Sequence, residues 1–201
     1  MKVRVFRVVA MAALVLAATP AAAQRFSDSY EFLEAVRKAD GNKVNTFLQD
    51  KSLRLINSKD RNTGESALHI VVKRSDPTYL TVLINQPDVN VNIQDREGNT
   101  PLLVAAERGW DAGVTALLAK KANVNLGNAG GITPLIRAVQ VHDIEIVRAL
   151  LDAGADPDKA DFGGGLSARD YARQEARYPA IAKLLADAPK VKARAVAGPK
   201  L

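Results

Sequence analysis

The apolar positions of this chain fall in short paired clusters. Leu102, Val104, Ala105 and Ala106 form one cluster, Gly109 interrupts it, and Val114, Leu117 and Leu118 follow at helical spacing. The pair recurs as Leu135, Ala138 and Val139 with Val147, Leu150 and Leu151. It appears earlier as Leu68, Val71 and Val72 with Leu80, Leu83 and Ile84. Weaker copies stand at the ends: Leu33, Ala35 and Val36 with Val44, Phe47 and Leu48, and Ala172 with Ile181, Leu184 and Leu185. Five helix pairs are predicted, hence an all-α fold. The outer pairs are atypical because an end repeat must face solvent on one side.

Polar punctuation supports the same division. Gly64-Glu65-Ser66-Ala67-Leu68-His69, Gly98-Asn99-Thr100-Pro101-Leu102-Leu103, Gly131-Ile132-Thr133-Pro134-Leu135-Ile136 and Gly165-Leu166-Ser167-Ala168-Arg169-Asp170 are versions of one phrase, their glycines 34, 33 and 34 residues apart. A fixed period of this size signals stacked units, none able to bury its apolar face alone. Thr100 and Thr133 are placed to cap helices whose first turns carry Pro101 and Pro134, where no backbone donor is needed. Pro77 and Pro179 are expected to open second helices. Gly109 and Gly154 suit helix ends that need positive φ. Small Ala105 and Ala138 allow first helices to approach closely. The second unit runs long, which the sequence assigns to Asp76-Pro77-Thr78. The expected repeats are 26–61, 62–95, 96–128, 129–162 and 163–189.

This pattern resembles the ankyrin repeat family. The resemblance is carried by Gly98-x-Thr100-Pro101-Leu102, Ala105-Ala106, Gly109, Leu117-Leu118 and Asn123-Val124-Asn125, and by Leu150-Leu151-Asp152-Ala153-Gly154-Ala155-Asp156 in the next unit. It covers about residues 26 to 187. Of the motif histidines, only His69 is kept. The resemblance implies a solenoid of about five helix-turn-helix repeats with projecting hairpin-like loops. The concave side consists of loop tips and the exposed face of the first helices. It also implies that His69 bonds nearby backbone and steadies its loop.

Composition changes this picture at the two ends. Lys2, Arg4 and Arg7 precede the apolar run Val8–Ala18, and Ala21-Ala22-Ala23 precede Gln24. This reads as a signal peptide, residues 1–23, cut after Ala23. The run is too short for a membrane anchor, which needs roughly 20 apolar residues. The expectation is an exported protein, periplasmic in a Gram-negative cell and otherwise secreted. The formal charge of +6 comes from the ends: four basic residues (Lys190, Lys192, Arg194, Lys200) lie in 190–201, read as a disordered basic tail. The 21 basic residues of the body, 24–189, face 22 acids, so a high pI does not indicate nucleic-acid binding. The absence of cysteine removes disulfides, thiol catalysis and cysteine metal sites.

Candidate chemistry is sparse. His69 and His142 stand on different repeats, and His142 takes the turn position of Gly109, read as a solvated turn. Asp156, Asp158 and Asp161 lack the closing bidentate glutamate of a calcium loop and read as a solvated inter-repeat loop. Gly163-Gly164-Gly165 is followed by no Lys-Ser or Lys-Thr, so it is no phosphate cradle. No catalytic residue, cofactor or metal is expected.

The helix-end positions carry the partner expectation. They read Arg37-Lys38, Lys73-Arg74, Glu107-Arg108, Gln140-Val141 and Gln174-Glu175, with Arg61 and Arg96 on the same side through their loops. This is either a solvated helix edge or a basic strip for an acidic protein segment. Trp110 is either a binding anchor or inter-repeat packing, and Phe162, on a glycine-rich tip, is a candidate apolar contact. The expected function is a monomeric, non-enzymatic module that binds a protein through its concave face. An inhibitor, immunity or stress-protective partner of a periplasmic enzyme is the first alternative, and an envelope-associated tether the second. Neither nucleic acid nor stable membrane insertion is expected.

Overall fold

The computed structural model describes residues 20–175 and 177–189, with side chains from residue 28 onward. Residues 1–19 of the expected signal peptide 1–23, and the whole expected tail 190–201, lie outside the described residues. Ten helices appear among those described, in five pairs. They are α1 (Pro20–Arg37) with α2 (Gly41–Gln49), α3 (Ala67–Lys73) with α4 (Pro77–Ile84), and α5 (Pro101–Glu107) with α6 (Asp111–Ala119). Then follow α7 (Pro134–Gln140) with α8 (Ile144–Asp152), and α9 (Ala168–Gln174) with α10 (Pro179–Asp187). Helix α1 begins upstream of residue 26, and the expected cut after Ala23 falls in its first turn.

Nine of these helices have seven to nine residues, too short to hold together alone in water. Their starts are fixed by caps. Thr100 Oγ1 accepts from Leu103 N–H and Thr133 Oγ1 from Ile136 N–H, each at 3.2 Å, with Pro101 and Pro134 in the first turn. Asp40, Asp76 and Asp143 cap second helices at 3.0 Å. A cap of this kind contributes about 1 kcal/mol. Packing supplies the rest. Each first helix touches the first helix of the next repeat, and from α4 onward each second helix does the same in an outer layer. Leu68, Leu102 and Leu135, with Leu83, Leu117 and Leu150, form a continuous apolar seam between the layers.

The turns between helices need positive φ: Gly109 is at +62° and Gly154 at +87°, as the sequence predicts. Ala39, Ser75 and His142 adopt the same conformation at +55°, +52° and +63°. The Ser75–Asp76 turn is therefore the ordinary one. The additional residue of the second unit lies after α4, around Gln86–Asp88, not at Asp76–Thr78 as expected.

Two sets of polar bonds run along the stack. Asn57 Oδ1 accepts from Asn90 N–H, Asn92 Oδ1 from Asn123 N–H, and Asn125 Oδ1 from Asp156 N–H, at 2.7 to 2.8 Å. The loop tips are joined by backbone: Arg96 N–H to Thr63 O, Ala129 N–H to Glu97 O, and Phe162 N–H to Gly130 O, at 2.8 to 3.0 Å. Gly98 shows why the tip carries glycine. Its φ is +80°, and a Cβ there would lie 2.6 Å from Ala129 N. A side chain would push the next tip out of hydrogen-bonding range.

Candidate functional site

Each loop tip is built by one side chain that folds the chain over itself. Asp60, Asp95, Asn128 and Asp161 occupy equivalent positions, and one oxygen of each accepts two backbone N–H groups two to five residues ahead. Of these, only Asp161 was singled out in the sequence, as part of a solvated loop, although their recurrence with the glycine period was the available signal. Because the tips are also tied to one another, the loops present a row of fixed positions.

The first helices give the floor of the same face. At the position before the paired small residues stand Glu34, Ile70, Val104, Arg137 and Tyr171. The helix ends form its edge, and here the basic strip takes a definite shape. Arg37 Nη2 lies 2.7 Å from Asp60 Oδ2, and its Nη1 lies 2.9 Å from Glu34 Oε1. Lys38, three-quarters exposed, is 3.7 Å from the other Glu34 oxygen. Lys73 pairs with Glu65. Arg74 Nη2 lies 2.9 Å from Asp76, and its Nη1 donates to the carbonyls of Val36 and Arg37 at the end of α1. The Arg74 guanidinium also sits 5.0 Å over the Tyr79 ring. Arg96 donates to the Arg61 carbonyl, joining two loop tips. Arg108 is exposed at the end of α5. In the first two repeats, the cations of the strip are thus largely balanced by carboxylates on the same surface.

The electrostatic consequences are local. Thr63 N–H, the Arg37 guanidinium and Asn62 N–H, in that order, hold the Asp60 carboxyl down at about 2. The Glu65 hydrogen bond is the main factor raising the Lys73 ammonium pKa.

The remaining candidates are placed as follows. Trp110 stands just before α6 with its ring lying over Gly113, where an added Cβ would come 2.2 Å from a ring carbon; it packs on its own helix and is partly buried against the core. Phe162 is 76% exposed on the fourth loop tip, which is one residue longer than the preceding tip.

His69 is fully buried. Its Nδ1 accepts from Ser66 N–H at 3.2 Å, which leaves the proton on Nε2, and Nε2–H donates to Asn99 O of the next repeat at 2.9 Å. The histidine joins two repeats as well as steadying its own loop. Burial is the main cause of its lowered pKa.

Two expectations are corrected. His142 is not a solvated turn: its ring stacks on Tyr178 at 3.8 Å, and Nε2 lies 3.7 Å from Glu175. Nor is Asp161 part of a solvated loop. It is 5% exposed, accepts the Tyr171 hydroxyl proton at 2.6 Å, and with Gly164 and Leu166 N–H donors fixes the Phe162 tip. That Tyr171 hydrogen bond is the leading cause of the lowered Asp161 pKa. Asp158 pairs with buried Arg169, whose terminal nitrogens also donate to carbonyls of Leu185 and Ala188, closing the end of α10.

Arg137 and Tyr171 were missed by sequence reasoning, and Gln140 was read only as an uncharged helix end. The signal was a cation at a floor position that is apolar in the two preceding repeats. Arg137 Nη1 donates to Gln140 Oε1 at 3.1 Å. Its Nε is buried without a hydrogen bond, and the nearest carboxylate oxygen, Glu107 Oε1, is 3.9 Å away.

Chemistry of other kinds finds little support. Among the described residues, no group of three or more His, Asp or Glu side chains is arranged to hold a metal, and no helix is long and apolar enough to cross a membrane. A cleft of about 410 Å³ lies between the first two repeats, walled by Phe47, Leu48, Leu55, Ile56 and Pro87. Its charged rim residues, Asp50, Lys51, Arg54 and Asp88, are all exposed to solvent.

Comparison with known proteins gives a consistent result. A family model described as ankyrin repeats (3 copies) matches at residues 32–128 and 68–161. The chain is 33% identical over 103 residues to the E3 ubiquitin-protein ligase KEG of Arabidopsis thaliana, covering 50% of this chain and 6% of that protein. It is 35% identical over 109 residues to human ankyrin repeat and SOCS box protein 6, covering 50% and 26%. It is 33% identical over 105 residues to human BCL-6 corepressor-like protein 1, covering 52% and 6%. The chain therefore spans about a quarter or less of the length of these relatives.

Proposed function

Because this chain belongs to the ankyrin repeat family, whose repeats are generally protein–protein interaction modules, we propose that it docks a protein partner on the face made by its first helices and loop tips. The observation that carries this reading is the bonding of each tip to the next, from Thr63 to Phe162. A surface fixed in advance loses little conformational freedom on docking. The described residues offer no competing constellation of convergent catalytic groups.

The reading extends to compartment and form. The protein is exported as a monomer, and the partner is met outside the cytoplasm; the basic start at Lys2, Arg4 and Arg7 and the apolar run after it support this part. The charges along the helix edge set encounter rate and selectivity more than affinity.

Site-specific photo-crosslinking during capture from an envelope extract tests the docking face. Crosslinkers at Arg108 and Phe162 should trap the partner, whereas one at Thr115 on outer helix α6 should not. Trapping from Thr115 alone refutes the reading. Mass measurement of the protein recovered from the envelope fraction should show a chain beginning at Gln24, and a chain retaining Met1 would reject export with cleavage.

A further inference from the structure

We propose that Arg137 is the anchor of the docking face and that it takes a carboxylate side chain from an extended acidic segment of the partner, with an apolar residue of that segment against Phe162. The inference rests on the concave-face reading above and moves its centre from the first two repeats to the last three.

Charge balance argues for the move. In the first two repeats Arg37, Lys38, Lys73 and Arg74 face Glu34, Asp60, Glu65 and Asp76 at close range. At these helix ends an acidic segment meets as many carboxylates as cations. Farther along, the carboxylate facing Arg137 is Glu107, half exposed and 3.9 Å away, beyond hydrogen-bond range, and Glu175 at the end of α9 faces His142.

Placement argues for Arg137 in particular. Its floor position is held by Ile70 and Val104 in the preceding repeats, both buried, so a charge here does not serve the seam. The Arg137 Nε is the one buried side-chain polar atom without a hydrogen bond among the described residues. Only Nη1 has a side-chain acceptor, Gln140, and more than a quarter of the side chain remains open. A guanidinium with unused donors on a partly dehydrated floor is suited to a bidentate carboxylate.

The apolar contact is fixed through the next floor residue. Tyr171, the floor residue of the next repeat, binds Asp161 through its hydroxyl, and Asp161 fixes the tip that carries Phe162. The Phe162 ring rests on Gly131, where an added Cβ would come 3.0 Å from it. Cation and aromatic ring are thereby set on adjoining repeats of one rigid surface.

Selection from a phage-displayed random peptide library on the full chain tests the proposal. Enriched peptides should carry Asp or Glu beside an apolar residue. Arg137→Leu should weaken a synthesised winner at least about tenfold, since hydrogen bonds to a charged group are among the stronger ones. Arg137→Lys should weaken it less, and Lys73→Ala should leave it within about twofold. Leucine matches the apolar residues at the equivalent positions, so Arg137→Leu should unfold at the same urea concentration as the wild type or higher. Winners without acidic residues, no enrichment, or affinity unchanged in Arg137→Leu each overturn the proposal. If the partner still crosslinks at Arg108 and Phe162 while Arg137→Leu changes nothing, the anchor fails and the docking face stands.

Discussion

Replacing His69 with leucine removes a junction between repeats while leaving its volume nearly filled, because the corresponding residues of the next two repeats are Leu103 and Ile136, both fully buried. Three hydrogen bonds are lost, two from Ser66 (N–H and Oγ) to Nδ1 and one from Nε2–H to Asn99 O; Ser66 N–H is left unpaired, whereas Asn99 O keeps the Asp95 N–H. Each lost bond costs about 0.5–1.5 kcal/mol net and an unpaired buried group about 1–3 kcal/mol, against which leucine returns about 1–2 kcal/mol of burial. The expected net loss is about 2–5 kcal/mol at pH 7.5. The pH dependence makes the test specific. Burial lowers the folded-state pKa of His69 below the ordinary imidazole value of 6.5, so the unfolded chain binds the extra proton first. His69 therefore contributes stability above pH 6.5 that is lost as pH falls below it, at up to about 1.4 kcal/mol per pH unit. Urea titrations followed by circular dichroism, at pH 7.5 and 5.5, should show the gap between wild type and His69→Leu narrowing by about 1 kcal/mol at the lower pH. Other titrating groups are common to both proteins and cancel. A gap that is equal at the two pH values refutes the buried, neutral, bridging histidine.

Other outcomes follow from the turns, the caps and the end of the stack. Gly98→Ala should cost about 2–4 kcal/mol in urea unfolding, through the positive φ and the contact with Ala129 N. Ala39→Gly, at φ +55°, should stabilise by about 0.5–1 kcal/mol, since relief of the left-handed strain exceeds the added chain entropy. The Asp60 carboxyl, held at about 2 against 3.8, contributes stability present above pH 4 and lost between about 4 and 2; Asp60→Asn should remove that part of the acid transition. Arg169→Met should free the end of α10, so its amides should exchange hydrogen faster before those of α5 or α7 change.

The helix pairs were legible because apolar spacing and the Thr-Pro starts report local geometry directly. Leu117 and Leu150 can be read as core from spacing alone, and Gly109 as a turn from its chemistry. The positions that tie repeats together were harder to read. Nothing adjacent in sequence shows that His69 reaches Asn99, or that Asn92 reaches Asn123, since each bond spans a whole period. The basic strip was visible as residues, but its neutralisation was not. Asp60 and Glu65 lie far along the chain from Arg37 and close to Lys73 respectively, and only the fold brings both onto the edge. Asp161 looked solvated because acids in glycine-rich loops usually are; the Tyr171 hydroxyl that binds it comes from the helix that follows, α9. Arg137 announced itself only once the floor positions of successive repeats were compared.

The asparagine rungs bear on how a chain of this kind gains or loses length. Each is one side chain taking the backbone amide of whichever unit follows, indifferent to that unit's side chains. Excision of 98–130 would offer Asn92 the amide of Asp156 and Glu97 the amide of Phe162, so every joint would close again. Removal of half a unit would leave a rung with no amide opposite. Whole-unit duplication and deletion are therefore steps that this fold survives, and fractional ones are not.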